Sequence, residues 1–454
     1  MTADPLTLLV LVGVASPVML LTLLGGASLA NRPLPERWTG GLAAGSMTIA
    51  VAALTVAFVV AWSTGTGTQL LSYGAWSTSH AGGIAIEFLV DRPSLAFAAL
   101  SAAIVGVVSA FSNRYLHRES GYNRYFVLLA MFVTGMLLIA LAGNVTVLLI
   151  GWEFVGLSSA LLVAFFQERP AAVSNALRVV TVYRISDAAM VSAAVLLHHH
   201  AGTSSLSLLF GGAGTASTTG LTGANATIIA VLLIVAVAGK SALLPFSSWL
   251  PRAMEGPTPS SAVYYGSLSI HAGCFLLLRS APLFEQAPAA RVLAGALGAA
   301  TAVFAALTTR VQSDVKSSLA YASLTQVGII VVEIAIGWYT IAFVHLAGHA
   351  CFRLLQFLSA PNVLHDLHGI EDAIGNRPSP RRGYLEGLAS DRVRRGLFLL
   401  ALERGFLDSI LDRVVVGPFT RLAHRLTRLD AWLCHAVLPK GRLVYADERE
   451  DQDE

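Results

Sequence analysis

The stretch from Val237 to Ala262, VAGKSALLPFSSWLPRAMEGPTPSSA, sets one lysine in an apolar run and then interrupts the chain with prolines. Lys240 is one of three lysines in the whole sequence. An ammonium at bilayer depth costs at least ~2.5 to 3.5 kcal/mol, so it is rare there unless it faces protein or water and has a task. Pro245 removes a backbone donor and clashes with the carbonyl one turn back, which opens a helix and frees carbonyls for a polar guest. Pro251, Pro257 and Pro259 predict a second break. An ionisable group, an interrupted span and small residues together suit an ion pathway.

Few other titratable groups lie within apolar runs. Glu153, in LLIGWEFVGLSSALL, is expected well inside a span, where burial lets a carboxylate gain and lose a proton in a useful range. A hydrogen bond between helices is the structural alternative. Arg184 and Asp187 are three residues apart and share a helical face. They either neutralise each other and hold the helix or take part in transfer, and the two readings stand level. His271, in YYGSLSIHAGCFLLL, can accept at one ring nitrogen and donate at the other, although a lone histidine is as often a packing residue. His345, His349 and Arg353 recur every four residues and make one polar stripe, read as a proton wire first and a structural interface second. Two histidines at this spacing could bind zinc, but no HExxH glutamate or third ligand accompanies them, so no metal site is expected in this chain. Asp314 and Lys316 read as a surface anchor for the tenth span, and His198 to His200 as a polar helix end.

The elements that must position these residues follow from composition. Over 454 residues, 55% are hydrophobic and 13% charged, and the mean hydropathy is +0.67. Such a chain is a polytopic membrane protein. Windows of about 20 apolar residues give eleven spans: 6–30, 39–63, 92–112, 124–143, 145–166, 177–198, 225–245, 260–280, 288–308, 317–336 and 338–358. The fold class is therefore an all-α membrane helix bundle with a broken helix carrying Lys240. The first segment lacks a signal-peptide cleavage pattern and is kept as a span. Loops with Arg32 and Arg37, with Arg114, Arg118 and Arg124, with Arg169 and Arg178, with Arg252, and with Arg310 and Lys316 alternate with loops free of Lys and Arg. This predicts the N-terminus outside and the C-terminus in the cytoplasm of an inner-membrane protein, with Arg92, Arg279 and Arg291 cutting across the pattern. The Gly/Ser/Thr-rich stretches 64–90 and 200–224 read as external connections. Three scattered cysteines give no disulfide framework, and the charge balance gives no sign of nucleic-acid binding.

GWEFVGLSS, the RISD step, GKSALLPFSSWLPRAMEGPTPSSA, SDVKSSLAYASLTQVG and HLAGHACFRLLQFL, in this order, resemble the proton-translocating membrane subunits shared by respiratory complex I (its L subunit) and Mrp-type sodium/proton antiporters. The resemblance covers about residues 90 to 360. It implies that Glu153 and Lys240 form the central proton-handling pair and that the histidines of the eleventh span belong to the connecting hydrophilic axis. Three regions follow: N-terminal spans (1–91), an antiporter-like bundle (92–360) and a cytoplasmic partner-docking segment (361–454).

Departures from that pattern suggest a branch. Members of the family continue through further helices past the eleventh span, whereas here the chain turns polar at HDLHGIEDAIGNRPSPRRG. They carry lysine where this chain has Arg353, and complex I subunits tend to have histidine at the place of Tyr265. These features are similar to the membrane subunit of the DAB inorganic-carbon accumulation complex. That resemblance implies a large peripheral cytoplasmic partner like a β-carbonic anhydrase, with zinc in the partner and no cofactor here. From Arg392 to Leu438, Leu399, Leu402, Phe406, Ile410 and Val414 recur at helical spacing, which describes an amphipathic helix on a membrane lipid surface or a partner, broken at Gly417 and Pro418. The expected function is a non-catalytic, proton-conducting subunit. It runs through Glu153, Lys240, His271, His345 and His349 and drives carbon dioxide hydration on its partner; the alternative is an L-like pump or Mrp-type antiporter subunit.

Overall fold

The computed structural model describes residues 5–65, 67–75, 85–210, 221–312, 314–374, 391–403, 405 and 412–437. The chain divides into two compact units, 1–405 and 406–454. In the first, eleven helices among the described residues are long and apolar enough to cross a membrane. They are α1 (Pro5–Leu29), α2 (Glu36–Ser63), α3 (Arg92–Tyr115), α4 (Tyr122–Ala140), α5 (Val145–Val163) and α6 (Pro170–Ala201). There follow α7 (Gly223–Lys240), α8 (Thr258–Arg279), α9 (Pro288–Thr309), α10 (Val315–Ile336) and α11 (Tyr339–Ile374). The bundle is thus the all-α, multi-pass membrane architecture that composition implies. α8 is its centre, with 94% of its apolar window buried against 28% for α9.

Where no water competes, helix ends need partners from the protein itself. Asp91 and Asn144 supply them, each accepting the N–H three residues on at 2.9 Å and capping α3 and α5, while Asp314 caps α10 in the same way at 2.8 Å on the exposed surface. Small residues let backbones touch. A Cβ on Gly151 of α5 would lie 2.7 Å from the carbonyl oxygen of Gly135 on α4, and Gly298 and Gly328 bring α9 and α10 equally close.

Within the Gly/Ser/Thr-rich stretch, residues 69–75 and 85–90 form regular structure that its composition does not predict. β1 (Gln69–Ala75) and β2 (Ala85–Val90) pair as an antiparallel hairpin, the one departure from an otherwise helical bundle among the described residues. Its hydrogen bonds are non-local, so composition misses them: Gly143 donates to the Glu87 carbonyl, Leu89 to the Leu141 carbonyl and the Asn144 side chain to the Ala85 carbonyl, all at 2.8 Å. The same end of the bundle holds the three arginines that disturb the charge pattern, and each is engaged. Arg279 pairs with Asp91 at 2.5 Å, Arg291 donates to the Ala335 carbonyl and Arg92 stacks over Trp62. At the opposite end Glu36 meets His117 at 2.8 Å and the Arg118 N–H at 3.0 Å, tying the α1–α2 and α3–α4 connections together.

Beyond α11 the first unit contains α12 (Asp391–Leu402), with Leu399 and Leu402 half exposed. In the second unit, Asp412–Val416 form one wide helical turn that runs straight into α13 (Gly417–Val437). Gly417 and Pro418 therefore open a helix where the sequence suggested a break, because a proline in a first turn lacks only a donor that would be unused there. Phe406 and Ile410 lie outside the described residues. Leu422, Leu426, Leu429 and Leu433 form an exposed apolar row on α13, alternating with Arg421, Arg425 and Arg428.

Candidate functional site

Lys240 is the last residue of α7, so the helix stops before Pro245 is reached. Ala242 then takes a left-handed backbone at φ +55°, and Leu244–Pro245 is a cis peptide. A lysine at a helix C-terminus faces unpaired carbonyls, which favour a cation. Its side chain is fully buried. Nζ donates to the Trp152 carbonyl at 3.1 Å and stands 4.9 and 4.3 Å from the ring centres of Trp152 and Tyr183, within cation–π range. A Cβ at position 156 would come within 2.7 Å of Nζ, so Gly156 leaves the space that the ammonium fills. Trp249 closes the break by donating its indole N–H to the Gly239 carbonyl at 3.0 Å.

Asp187 on α6 is the nearest carboxylate, with Oδ1 3.9 Å from Nζ. Arg184 bridges onward: Nη2 lies 2.8 Å from Asp187 and 2.7 Å from Glu153. The order Lys240, Asp187, Arg184, Glu153 runs from the interior outward. Asp187 is 7% exposed, Glu153 40% and Arg184 51%. Glu153 is thus at the middle of α5 in depth but on its outward face, and it reaches Lys240 through Asp187 and Arg184. Arg184 and Asp187 do pair, yet each also faces a further charge, so the pair is open at both ends.

A second cluster lies on α8, α10 and α11. His271 Nδ1 is 2.6 Å from the Ser267 carbonyl, and its Nε2 is 2.9 Å from His349 Nδ1. His349 Nε2 accepts from Arg353 Nε at 3.1 Å, and Arg353 Nη1 donates to Gln356 at 2.6 Å. His345 is 3.0 Å from Glu333 and 3.1 Å from Gln326, its ring 6.4 Å from that of His349. The buried hydroxyl of Tyr183, whose ring lies beside the Lys240 ammonium, has no hydrogen-bonded partner. The buried hydroxyls of Ser241 and Ser267 have no hydrogen-bonded partner. Ser241 follows Lys240 at the end of α7, and Ser267 is the residue whose carbonyl faces His271.

The prolines divide by role. Pro251 sits in a short helix, Trp249–Arg252. Pro257 and Pro259 start α8, at its N-cap and first turn. Ser261–Leu268 of α8 is a π-helix, whose wider turn rotates the residues that follow. Its Tyr265 donates to the Ser159 carbonyl at 2.9 Å. His198, His199 and His200 occupy the last turn of α6, and no group of three metal-ligating side chains occurs among the described residues.

Glu333, Gln326, Gln356 and Trp152 escape sequence reasoning. Glu333 carries the signal that marks Glu153, one carboxylate in an apolar run, VGIIVVEIAIG. The glutamines and the Trp152 carbonyl carry no such signal and emerge only from packing.

Comparison with known proteins identifies the family. Residues 142–377 match the family described as NADH:quinone oxidoreductase/Mrp antiporter, TM. Residues 76–126 match the N-terminus of complex I chain 5. NADH-ubiquinone oxidoreductase chain 5 of Allomyces macrogynus is 35% identical over 63% of this chain and 44% of its own length. NADH-quinone oxidoreductase subunit L of Mycobacterium tuberculosis is 33% identical over 64% of this chain and 46% of its own. The Mrp complex of a Dietzia species superposes with a TM-score of 0.66 at 26% identity, covering 90% of this chain and 44% of that one. The chain spans about half the length of the curated relatives it matches. With more than half of its residues inside one family's pattern, the chain belongs to the NADH:quinone oxidoreductase/Mrp antiporter family of membrane subunits.

Proposed function

We propose that this chain is a proton-translocating membrane subunit of an assembly of the quinone-oxidoreductase L or Mrp antiporter type. In this reading protons pass among Glu153, Asp187 and Lys240, with the Arg184 guanidinium bridging the two carboxylates as a fixed charge, and on through His271, His349 and His345. The observation that carries it is the fully buried Lys240 ammonium at a helix end, 3.9 Å from Asp187. Breaking such a buried pair by removing one partner costs about 3 to 5 kcal/mol, so a group that only had to fill space would be apolar. Lys240 serves as a proton store whose charge responds to its carboxylate neighbours, a coupled titration of the group as a whole. The chain forms and breaks no covalent bond itself.

The half-exposed Glu153–Arg184 pair supports a neighbouring subunit. Bare ionic groups at this depth of a lipid bilayer are costly, and a partner presenting polar groups to this face removes that cost. The exposed apolar row of α13 is a second docking element. The relatives found are redox-complex and antiporter subunits, which favours that type of assembly over the inorganic-carbon complex first suggested by the sequence. Arg353, in place of a lysine, is the observation that keeps the latter as a second reading, with a peripheral zinc-site partner hydrating carbon dioxide. An orientation with the N-terminus outside goes with either.

The test is proton uptake by vesicles holding the purified native assembly, with Glu153→Gln and Asp187→Asn. Loss of uptake with normal assembly supports the pathway, and uptake equal to wild type refutes it. Co-purification of quinone-oxidoreductase or antiporter subunits, as against a zinc protein, decides between the two assemblies.

A further inference from the structure

The hydrogen positions along His271, His349 and Arg353 are fixed by what stands at the two ends. The Ser267 carbonyl can only accept, so His271 Nδ1, at 2.6 Å, carries a proton. A guanidinium can only donate, so His349 Nε2, at 3.1 Å from Arg353 Nε, is bare. One proton lies between His271 Nε2 and His349 Nδ1, 2.9 Å apart. His349 must own it, because a ring bare at both nitrogens would be an imidazolate anion. His271 Nε2 therefore accepts. Both rings are neutral, both carry the proton on Nδ1, and both Nε2 lone pairs are engaged. No other assignment satisfies the three contacts.

The charged and titratable groups around this line are Arg353 and His345 on α11, Glu333 on α10 through its contact with His345, and Cys274 on α8. Of these, Arg353 alone fills the lone pair at which His349 would take up a proton. Gln356 steadies the guanidinium from the side away from the ring, accepting from Nη1 at 2.6 Å. An arginine stays charged throughout the physiological range, so it occupies the lone pair without exchanging its own proton.

We infer that Arg353 is the positioning residue and gate of the histidine relay: its Nε–H holds His349 and His271 as neutral Nδ1–H tautomers, and the relay takes up a proton only when the guanidinium withdraws. The inference rests on the reading of these histidines as part of a proton path, but its test does not use proton flux. Failure of that reading would show as normal flux in the Glu153 and Asp187 variants, independently of the tautomers.

The experiment is nitrogen-15 magnetic resonance of the full chain, labelled at histidine and held in lipid bilayers, between about pH 5 and pH 8. The signals are assigned by their loss in His271→Asn and His349→Asn. The wild type is expected to show both rings protonated at Nδ1 and bare at Nε2 across the range. In Arg353→Met the bare Nε2 signal of His349 is lost on acidification as that nitrogen gains a proton. A ring protonated at Nε2 alone, titration of either ring in the wild type, or an Arg353→Met spectrum unchanged at low pH overturns the inference. Should Arg353→Met fail to fold, the wild-type spectrum still decides, because the assignment of both rings is made without it.

Discussion

Gly156→Ala moves the Lys240 ammonium without attacking the fold. The new Cβ would lie 2.7 Å from Nζ and 3.5 Å from the Tyr183 ring. The first contact is with the tip of a flexible side chain, so the lysine yields and the helices stay in place. Displacement breaks the 3.1 Å hydrogen bond to the Trp152 carbonyl; bonds to charged groups contribute about 1.5 to 3 kcal/mol. Lengthening the 3.9 Å separation from Asp187 by about 1 Å weakens that attraction by about 1 kcal/mol at the effective dielectric of protein sites. The two losses together come to about 2.5 to 4 kcal/mol, and if the resting geometry of the ammonium sets the transfer barrier, flux through reconstituted assemblies falls about 60- to 700-fold, at about 1.4 kcal/mol per decade. The same lost contacts lower stability as well, so flux is compared at equal amounts of folded protein. Gly151→Ala is the contrasting control. Its Cβ would meet backbone atoms of Gly135 and Ile139 at 2.7 and 2.9 Å, so it should lower stability by about 1 to 3 kcal/mol through overpacking. Wild-type flux in Gly156→Ala at equal folded protein, or the same loss of flux per folded protein in Gly151→Ala, refutes the reasoning.

Other expectations follow from the same contacts. Asp91→Ala removes both the cap of α3 and the partner of Arg279, and thermal denaturation should report a loss of about 2 to 4 kcal/mol. Asn144→Ala removes the cap of α5 and a strut to the hairpin; about 1 to 2 kcal/mol should be lost, with faster proteolysis in the hairpin than in the helices. Glu333→Gln takes the charge from the partner of His345 and should slow flux about tenfold, the effect of about 1.4 kcal/mol on the transfer barrier, with unchanged melting. Unchanged flux there would make the His345–Glu333 pair structural.

The spans were legible because lipid imposes length and polarity on every helix, and windows of apolar residues locate all eleven, although α6 begins seven residues before its window, α7 ends five residues short of its own and α11 runs on to Ile374. Lys240 was legible for the opposite reason, as a charge that lipid would not tolerate. The hairpin at 69–90 was not, since its pairing partners lie around Gly143, far along the chain. The lateral position of Glu153 was hidden as well. Periodicity assigns depth along a helix, but α5 is apolar all round and gives no clue to which side faces out. That Asp187 rather than Glu153 stands beside Lys240 depends on how α6 packs against α7, which spacing along one helix cannot encode. The direction of the histidine relay needed both of its ends, a carbonyl of α8 and a guanidinium of α11, brought together by the fold.

The account turns on Lys240 as an exchanging site, and the most direct measurement is proton uptake into vesicles carrying the native assembly with Lys240→Met, a substitution of similar length without the charge. Uptake at the level of protein-free vesicles, with subunit composition retained and flux compared per assembled complex, is the predicted result. Uptake within about twofold of wild type, a barrier change of about 0.4 kcal/mol, would contradict it.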